Sequence, residues 1–239
     1  MVSQATPFEM KDIKCHAIVC TAIFGNYDDL QVPTVIGRLP YYCIYDDPIF
    51  PFPEPWIPLH YEGEQQSVRW KSIECKLLAH RIFPEVDVIL WVDGNIKIHC
   101  RPKEFLEEWL GTCDIAVLAH TERRCVYKEA KEILRIGRAT PSRQAVLDHV
   151  EFLKEEGYPE DNGLAEVPVL LRRHVPSTIR FNEAWYRQTQ EHSSRTQMSF
   201  NYLSWKLGIP WWPIQLPWTD KWHLAGGNFD RTRHRKKGP

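Results

Sequence analysis

Short apolar runs alternate along the chain with longer stretches in which apolar residues recur at helical spacing. The apolar runs have the length and composition of buried strands and span residues 16–24, 41–47, 86–92, 114–120 and 167–174. The helical stretches span residues 67–83, 102–110, 125–137, 142–156, 178–192 and 195–207. Strands that alternate with helices in this way predict an α/β fold whose sheet is covered by helices on both faces.

Polar residues gather where three of these strands end. Residues 24–29 follow the first strand, Asp46 and Asp47 end the second, and residues 93–95 follow the third. Open α/β sheets bind ligands beyond the carboxyl ends of their strands, so these are the candidate binding residues. The proline-rich residues 47–58 cannot form a helix or a central strand and are expected to be an extended loop.

The third strand ends in Asp93-Gly94-Asn95, and two interpretations of this tripeptide stay open. Asp-Gly between two apolar runs is typical of a β-hairpin with a type I′ turn. Alternatively, residues i and i+2 of an extended chain point the same way, so Asp93 and Asn95 would offer two oxygens to one hard cation. Gly94 would then let a ligand such as a nucleotide diphosphate approach closely. The hairpin and the binding site do not exclude each other.

Composition narrows the class of protein. The chain has 239 residues, with 30 basic against 31 acidic side chains, which gives the body no nucleic-acid-binding signature. No apolar run reaches the length of a membrane span and the N-terminus has no signal-peptide core. Seven cysteines without a C-x-x-C spacing indicate reduced thiols. We therefore expect a cytoplasmic protein.

The domain organisation expected is a single domain over residues 1–230, followed by a basic, disordered tail over residues 231–239. A minority interpretation gives this tail a peripheral contact with an anionic membrane that carries a lipid-linked acceptor.

An ordered set of segments resembles a glycosyltransferase-like domain family found in plant cell-wall and mucilage proteins and in bacterial relatives. The longest is "WKSIECKLLAHRIFPEVDVILWVDGNIKI". The others include "IVCTAIFGNYD", "YYCIYDD", "GLAEVPVLLRRH", "FNEAWYRQ" and "SRTQMSFNYLSWKLG". The resemblance covers residues 18–208, which is most of the chain, and the order of the segments is more specific than any one of them.

This resemblance implies the GT-A fold, a Rossmann-like, mostly parallel sheet with a metal-binding D-x-D motif at a strand end. Asp93 and Asn95 stand at the D-x-D position and would bind Mn²⁺ or Mg²⁺, with Asp93 acting in catalysis through the metal. His223-x-x-Gly226 looks like the H-x-x-G element of some retaining GT-A enzymes, in which the histidine binds the metal and the glycine approaches the diphosphate. An accidental loop histidine is the alternative.

The resemblance also implies a nucleotide-sugar donor, a UDP-sugar in the first instance, and a saccharide or lipid-linked acceptor. The donor side would comprise Thr21, Phe24, Gly25, Asn26, Tyr27, Asp46 and Lys76. The acceptor side would comprise His120, Arg123, Arg124, Arg195 and Gln197. A strand-exit turn and solvated helix faces are the plain alternatives for these two groups.

The function expected is a metal-dependent glycosyltransferase with no general base identified, and the H-x-x-G element favours the retaining mechanism. Two other classes compete with it. One is a metal-dependent hydrolase, which needs at least three clustered ligands and an open coordination position. The other is a catalytically silent nucleotide-sugar-binding module, favoured by Asn95 in place of an acid and by Thr196, where the family has an acid between Arg195 and Gln197.

Overall fold

The computed structural model describes residues 16–47, 52–65, 67–216 and 222–235. Its strands are β1 Ala17–Ile23, β2 Tyr41–Tyr45, β3 Trp56–His60, β4 Val88–Val92, β5 Ile96–Ile98, β6 Ile115–Ala119, β7 Ala165–Arg173, β8 Trp212–Ile214, β9 His223–Leu224 and β10 Phe229–Arg231. Its helices are α1 Val68–Leu77, α2 Ala79–Ile82, α3 Pro102–Leu110, α4 Val126–Arg135, α5 Arg143–Glu155, α6 Pro176–Glu191 and α7 Thr196–Leu207. Each predicted strand and helix is present, with ends shifted by a few residues.

The strands form two sheets. A seven-stranded sheet has the order β3-β2-β1-β4-β7-β6-β8, and a three-stranded sheet has the order β5-β10-β9. In the large sheet β7 runs antiparallel to both β4 and β6, while the other neighbours are parallel. The α/β class and the mostly parallel sheet are therefore confirmed.

The central strands are apolar because both faces of the large sheet are covered. Every residue of β1 and β4 is buried. On one face they pack with α1 and with residues of α4 to α7. On the other face they pack with α3 and the three-stranded sheet. Burial on both faces explains why these strands show continuous apolar runs instead of alternation.

The proline-rich segment is not a loop throughout. Trp56–His60 is β3, an edge strand that pairs in parallel with β2. Pro58 is tolerated there because a strand at the edge of a sheet needs to pair along only one side. The single helix predicted over residues 67–83 is likewise interrupted, since Leu78 leaves helical geometry with φ −105° and ψ 27° between α1 and α2.

The predicted hairpin at Asp93-Gly94 is wrong. β4 lies in the seven-stranded sheet and β5 in the other sheet, where β5 pairs with β10. Gly94 also lacks the positive φ that a type I′ turn requires. The chain makes a turn in which the Ile96 N–H donates to the Asp93 carbonyl at 2.9 Å, and then it leaves the large sheet.

The predicted boundary of the tail at residue 231 is too early. Arg231 ends β10, and the backbone N–H of Thr232 donates to the Asn95 carbonyl at 2.7 Å. His234 pairs with Asp28. Residues 236–239, the rest of the predicted tail, lie outside the described residues.

Two further observations bear on the predicted class of protein. Among the described helices, none has the length and apolar character needed to span a membrane. The cysteines in the described part of the chain are free thiols, as predicted.

Candidate functional site

Asp93 stands at the carboxyl end of β4, where two buried side chains hold one of its oxygens. The Lys76 ammonium and the Trp91 indole N–H each donate to Asp93 Oδ1 at 2.9 Å. The Lys76 side chain is 8% exposed, whereas that of Asp93 is 38% exposed. Within the described residues the second oxygen, Oδ2, accepts no hydrogen bond. The carboxylate is therefore fixed on its protein side and open on its solvent side, as a ligand for a cation must be.

Gly94 lies against the end of β1. A Cβ atom added to it would lie 3.0 Å from Ile23 Cγ1, 3.2 Å from the Ala22 carbonyl oxygen and 3.2 Å from Asp28 Oδ2. The missing side chain of Gly94 therefore allows other residues of the protein to approach its backbone closely, where a ligand was predicted to do so. This close approach brings the Asp28 carboxylate next to the turn that carries Asp93, a proximity that the spacing along the chain did not indicate.

Asn95 is buried and fixes the C-terminal segment to the turn. The Asn95 side-chain Nδ2 donates to the Thr232 carbonyl at 3.1 Å, and the Asn95 backbone carbonyl accepts from the Thr232 hydroxyl at 3.0 Å. The amide nitrogen is thus used within the protein, and Oδ1 is the atom with which Asn95 could bind a cation.

His223 lies on β9, and its Nε2 is 3.9 Å from Asp230 Oδ1. Asp230 also pairs with His99 at 2.8 Å. Asp93 is not among the carboxylates that His223 pairs with in the described part of the chain. Gly226 has a positive φ of 65° inside a short 3₁₀ turn, Ala225–Gly227, as the predicted close backbone approach needs.

The described residues contain no group of three or more His, Cys, Asp or Glu side chains that could hold a metal ion by themselves. Mg²⁺ and Mn²⁺ are commonly held by one or two carboxylates, with substrate phosphates and water completing the shell. Asp93 Oδ2, which is open to solvent, suits that mode of binding and not a closed all-protein site.

Contacts within the protein determine the conformation of the loop after β1. Gly25 and Asn26 both have positive φ, 54° and 53°. The Gly25 N–H donates to Asp46 Oδ1 at 3.0 Å, while Lys71 binds Asp46 Oδ2 at 2.8 Å. Burial tends to raise the pKa of Asp46, but the hydrogen bonds from Lys71 and from the Gly25 N–H together lower it. Asp46 is therefore an ionised anchor of this loop.

A shallow depression lies at the carboxyl ends of β1 and β2. It is lined by Ile23, Asn26, Leu30, Cys43, Tyr45, Asp46, Asp47 and Phe52. Asn26 and Asp46 were predicted to bind the nucleotide, whereas the rings of Tyr45 and Phe52 (centroids 4.7 Å apart) were not. Phe52 lies in the proline-rich segment, for which the sequence predicts only an extended loop. The depression thus combines aromatic rings, against which a planar ligand could stack, with polar side chains.

Two predicted donor-side residues are core residues. Thr21 is 1% exposed and Phe24 is 2% exposed. Phe24 packs edge-on against Tyr61, with ring centroids 5.3 Å apart. Both side chains face the core, so they support the loop from behind. Tyr27, by contrast, is exposed and contacts the His234 ring at 4.8 Å.

The predicted acceptor side is mostly an internal network. His120 Nδ1 accepts the backbone N–H groups of Glu122 and Arg123, both at 3.1 Å, and its Nε2 lies 3.0 Å from the donor Arg123 Nη2. His120 Nε2 also lies 3.4 Å from Glu166 Oε2. Arg123 donates to Glu129 at 2.5 Å. His120 and Arg123 thus hold the end of β6 against α4 and β7.

The remaining predicted acceptor-side residues differ in exposure. The Gln197 side chain donates to the Ala165 carbonyl at 2.9 Å, so its amide nitrogen is used in a contact within the protein. Arg124 is exposed. Arg195 precedes α7 and is half-buried, and its Nε is buried without a hydrogen-bond partner among the described residues. Of this group, Arg195 is the residue with a buried side-chain donor that lacks an acceptor in the described part of the chain.

Comparison with known proteins adds the following findings. Residues 65–217 match a family model described as TOD1/MUCI70, glycosyltransferase-like domain. A protein of Arabidopsis thaliana named probable hexosyltransferase MUCI70 is 27% identical over 232 residues, covering 84% of this chain and 39% of that protein. Alkaline ceramidase TOD1 from the same plant is 22% identical over 238 residues, covering 84% of this chain and 50% of that protein. The chain thus spans half or less of these two relatives.

Among solved structures, the apo form of the bifunctional glycosyltransferase WbbM aligns with a TM-score of 0.49 at 8% identity, covering 81% of this chain and 38% of that one. The apo form of mouse xyloside xylosyltransferase 1 aligns with a TM-score of 0.44 at 12% identity, covering 81% and 83%.

Proposed function

The chain belongs to the TOD1/MUCI70 glycosyltransferase-like domain family, and from this premise we propose that it is a metal-dependent glycosyltransferase. It would move a sugar from a nucleotide-sugar donor to a hydroxyl group of a saccharide or glycolipid. The observation that carries this proposal is the Asp93 carboxylate, held through one oxygen by Lys76 and Trp91 and open at the other.

The site gives each of these residues a task. The depression at the ends of β1 and β2 would take the base of the nucleotide, with Asn26 and Asp46 as its polar groups. Asp93 and Asn95 would hold Mn²⁺ or Mg²⁺, a cation that stabilises the departing diphosphate. Lys76 fixes the Asp93 carboxylate in place and adds positive charge beside it. The stereochemical outcome we favour is retention, from the H-x-x-G element alone.

The test is thermal stabilisation of the protein by a panel of nucleoside diphosphates, with and without Mn²⁺. A ligand that binds only the folded state raises the melting temperature by mass action. We expect one nucleotide to stabilise the wild type in the presence of Mn²⁺. Asp93→Asn keeps an acceptor for Lys76 and Trp91 but loses the charge, and should weaken this binding at least about tenfold.

The matched control is Asp148→Asn, which removes an exposed carboxylate on α5. It should bind the nucleotide as the wild type does. Stabilisation that is indifferent to Mn²⁺ and equal in Asp93→Asn, with no release of nucleoside diphosphate from any nucleotide-sugar, would instead identify a silent binding module. Release that depends on an acceptor sugar establishes transfer.

A hydrolase is the second candidate, since one relative is named alkaline ceramidase. This candidate predicts release of fatty acid from ceramide by the purified chain, independent of any nucleotide-sugar. Turnover of ceramide together with no nucleotide binding would replace the glycosyltransferase proposal.

A further inference from the structure

Three arginines from separate parts of the chain lie close enough to act on one another electrostatically. Arg69 lies in the first turn of α1, Arg138 in the α4–α5 connection and Arg195 directly before α7. Arg69 ties the other two segments together. It donates to Ser194 Oγ at 2.9 Å and to the Ser194 carbonyl at 2.7 Å, next to Arg195. It also donates to Thr140 Oγ1 at 3.0 Å, two residues from Arg138. We call Arg69, Arg138 and Arg195 the arginine trio.

The two carboxylates that act electrostatically on Arg195, Glu129 and Glu166, are already paired with other cations. Glu129 binds Arg123 at 2.5 Å, and Glu166 binds Arg231 at 2.9 Å. In the part of the chain that the structure describes, no member of the trio forms an ion pair. The partners of Arg69 are a hydroxyl, a carbonyl and a second hydroxyl, all neutral. The trio therefore carries positive charge that the described residues do not neutralise.

Keeping Arg195 charged costs free energy, because the side chain is partly buried and lies near another cation. Burial lowers the pKa of its guanidinium, and the charge of Arg138 lowers it further, against the opposing effect of Glu129 and Glu166. Its buried Nε finds no acceptor among the described residues. A buried donor on a cation is costly unless an acceptor, preferably an anion, completes its hydrogen bonds.

Helix α1 connects the trio with the residues around Asp93. α1 starts against the nucleotide loop, since a Cβ on Gly25 would lie 2.8 Å from Val68 Cγ2. The same helix carries Lys76, which touches Asp93. Arg69 and Lys76 are seven residues apart, so their backbones are separated by about 10 Å along the helix at 1.5 Å per residue. Lys76 therefore stands at the Asp93 end of α1, and Arg69 stands at its opposite end.

We infer that the arginine trio binds an anionic group, a carboxylate or a phosphate, carried by the acceptor sugar. Guanidinium forks bind both kinds of group through paired N–H donors. This inference rests on the proposed glycosyltransferase function, because it assigns the trio to the second substrate of that reaction.

The experiment compares three disaccharides that differ at one carbon: a uronate, its carboxyl-reduced neutral counterpart, and the 6-phosphate of that counterpart. Binding to the full chain is measured by calorimetry with and without UDP and Mn²⁺. We expect one charged form to bind at least tenfold more tightly than the neutral form, and the form that does so identifies the anionic group. Arg195→Gln should remove this preference and leave UDP binding unchanged.

Two further variants make the result specific. Arg195→Lys keeps the charge but not the fork, and should retain only part of the preference. Arg180→Gln, which removes an exposed arginine on α6, should retain all of it.

Equal binding of all three disaccharides by the wild type would overturn the inference. So would a loss of UDP binding in Arg195→Gln as large as that in Asp93→Asn, because the trio would then serve the diphosphate. If UDP itself does not bind while a charged disaccharide does, the donor site is wrong and the anion site stands.

Discussion

At the scale of single residues, the environment of Asp93 comes from its neighbour two positions earlier. Trp91 and Asp93 point the same way because they are i and i+2 on an extended strand, and the indole N–H donates to the carboxylate. The same rule applied to Asp93 and Asn95 does not hold simply, because the chain turns between them. The buried Asn95 amide is directed at Thr232 instead.

Gly25 gives a residue-scale prediction about stability. Gly25→Ala meets a positive φ of 54° and a contact of 2.8 Å with Val68 Cγ2. Strain from both sources should lower the free energy of unfolding by roughly 2–4 kcal/mol. Urea denaturation of the wild type and the variant measures the change.

Gly157→Ala is the matched control, since Gly157 has a φ of 71° with no atom within 4 Å of the added Cβ. It should lose only the conformational part, about 1 kcal/mol. Equal losses at the two positions would mean that the contact with Val68 relaxes freely and that glycine is not required there by packing.

At the scale of elements, the C-terminal segment closes the site. β10 pairs with β5, and the residues after it contact both Asn95 and the Asp28 carboxylate, where His234 Nδ1 lies 2.6 Å from Oδ1. The hydrogen bond to Asp28 raises the pKa of His234, and burial acts in the opposite direction. The negative charges of Asp28 and Asp93 raise this pKa further. One short segment thus contacts both the turn after β4 and the loop after β1.

A truncation tests this role. A chain that ends at Arg231 loses Thr232 and His234, and with them the three hydrogen bonds to Asn95 and the pair with Asp28. We expect the free energy of unfolding to fall by roughly 2–4 kcal/mol, at about 1 kcal/mol for each bond. Nucleotide binding should weaken as well, since the turn that carries Asp93 loses its support.

The control chain ends at Arg235 and removes only residues 236–239. It should match the full chain in urea denaturation and in nucleotide-dependent stabilisation. If the chain that ends at Arg231 behaves like this control, the segment after β10 does not support the site.

At the scale of the whole molecule, the core contains a histidine that must stay neutral. His149 is fully buried against His192, with ring centroids 5.0 Å apart, and its ring nitrogens have no partner among the described residues. Burial, followed by the charge of His192, lowers the pKa of His149 to about 3. In the unfolded chain its pKa is about 6.5.

The sign of the resulting pH dependence follows from proton binding. Between pH 6.5 and pH 3 the unfolded state binds a proton at His149 that the folded state does not, so stability falls as pH is lowered through this range. The loss from His149 should reach roughly 2 kcal/mol at pH 5. Urea midpoints at pH 7 and pH 5 measure it, and His149→Phe should reduce the difference by about that amount.

His60→Gln serves as the comparison, because His60 is exposed on the edge strand β3. Its pH dependence should equal that of the wild type. If His149→Phe leaves the loss between pH 7 and pH 5 unchanged, acid destabilisation of this protein has another source.

Local patterns and ordered motifs were enough to predict strands β1, β2, β4, β6 and β7, the helices, the α/β class and the family, whereas the edge strand β3 was predicted to be a loop. The sequence by itself also located Asp93, since an acid directly after a buried strand lies at the binding edge of a sheet. Chain-distant pairings were decided only in the tertiary structure. Contacts between segments far apart in the chain decide which strand β5 joins, how β7 inserts antiparallel and how the arginine trio assembles. No local pattern encodes those contacts, because a strand's hydrophobic period specifies which face is buried but not which neighbour it pairs with.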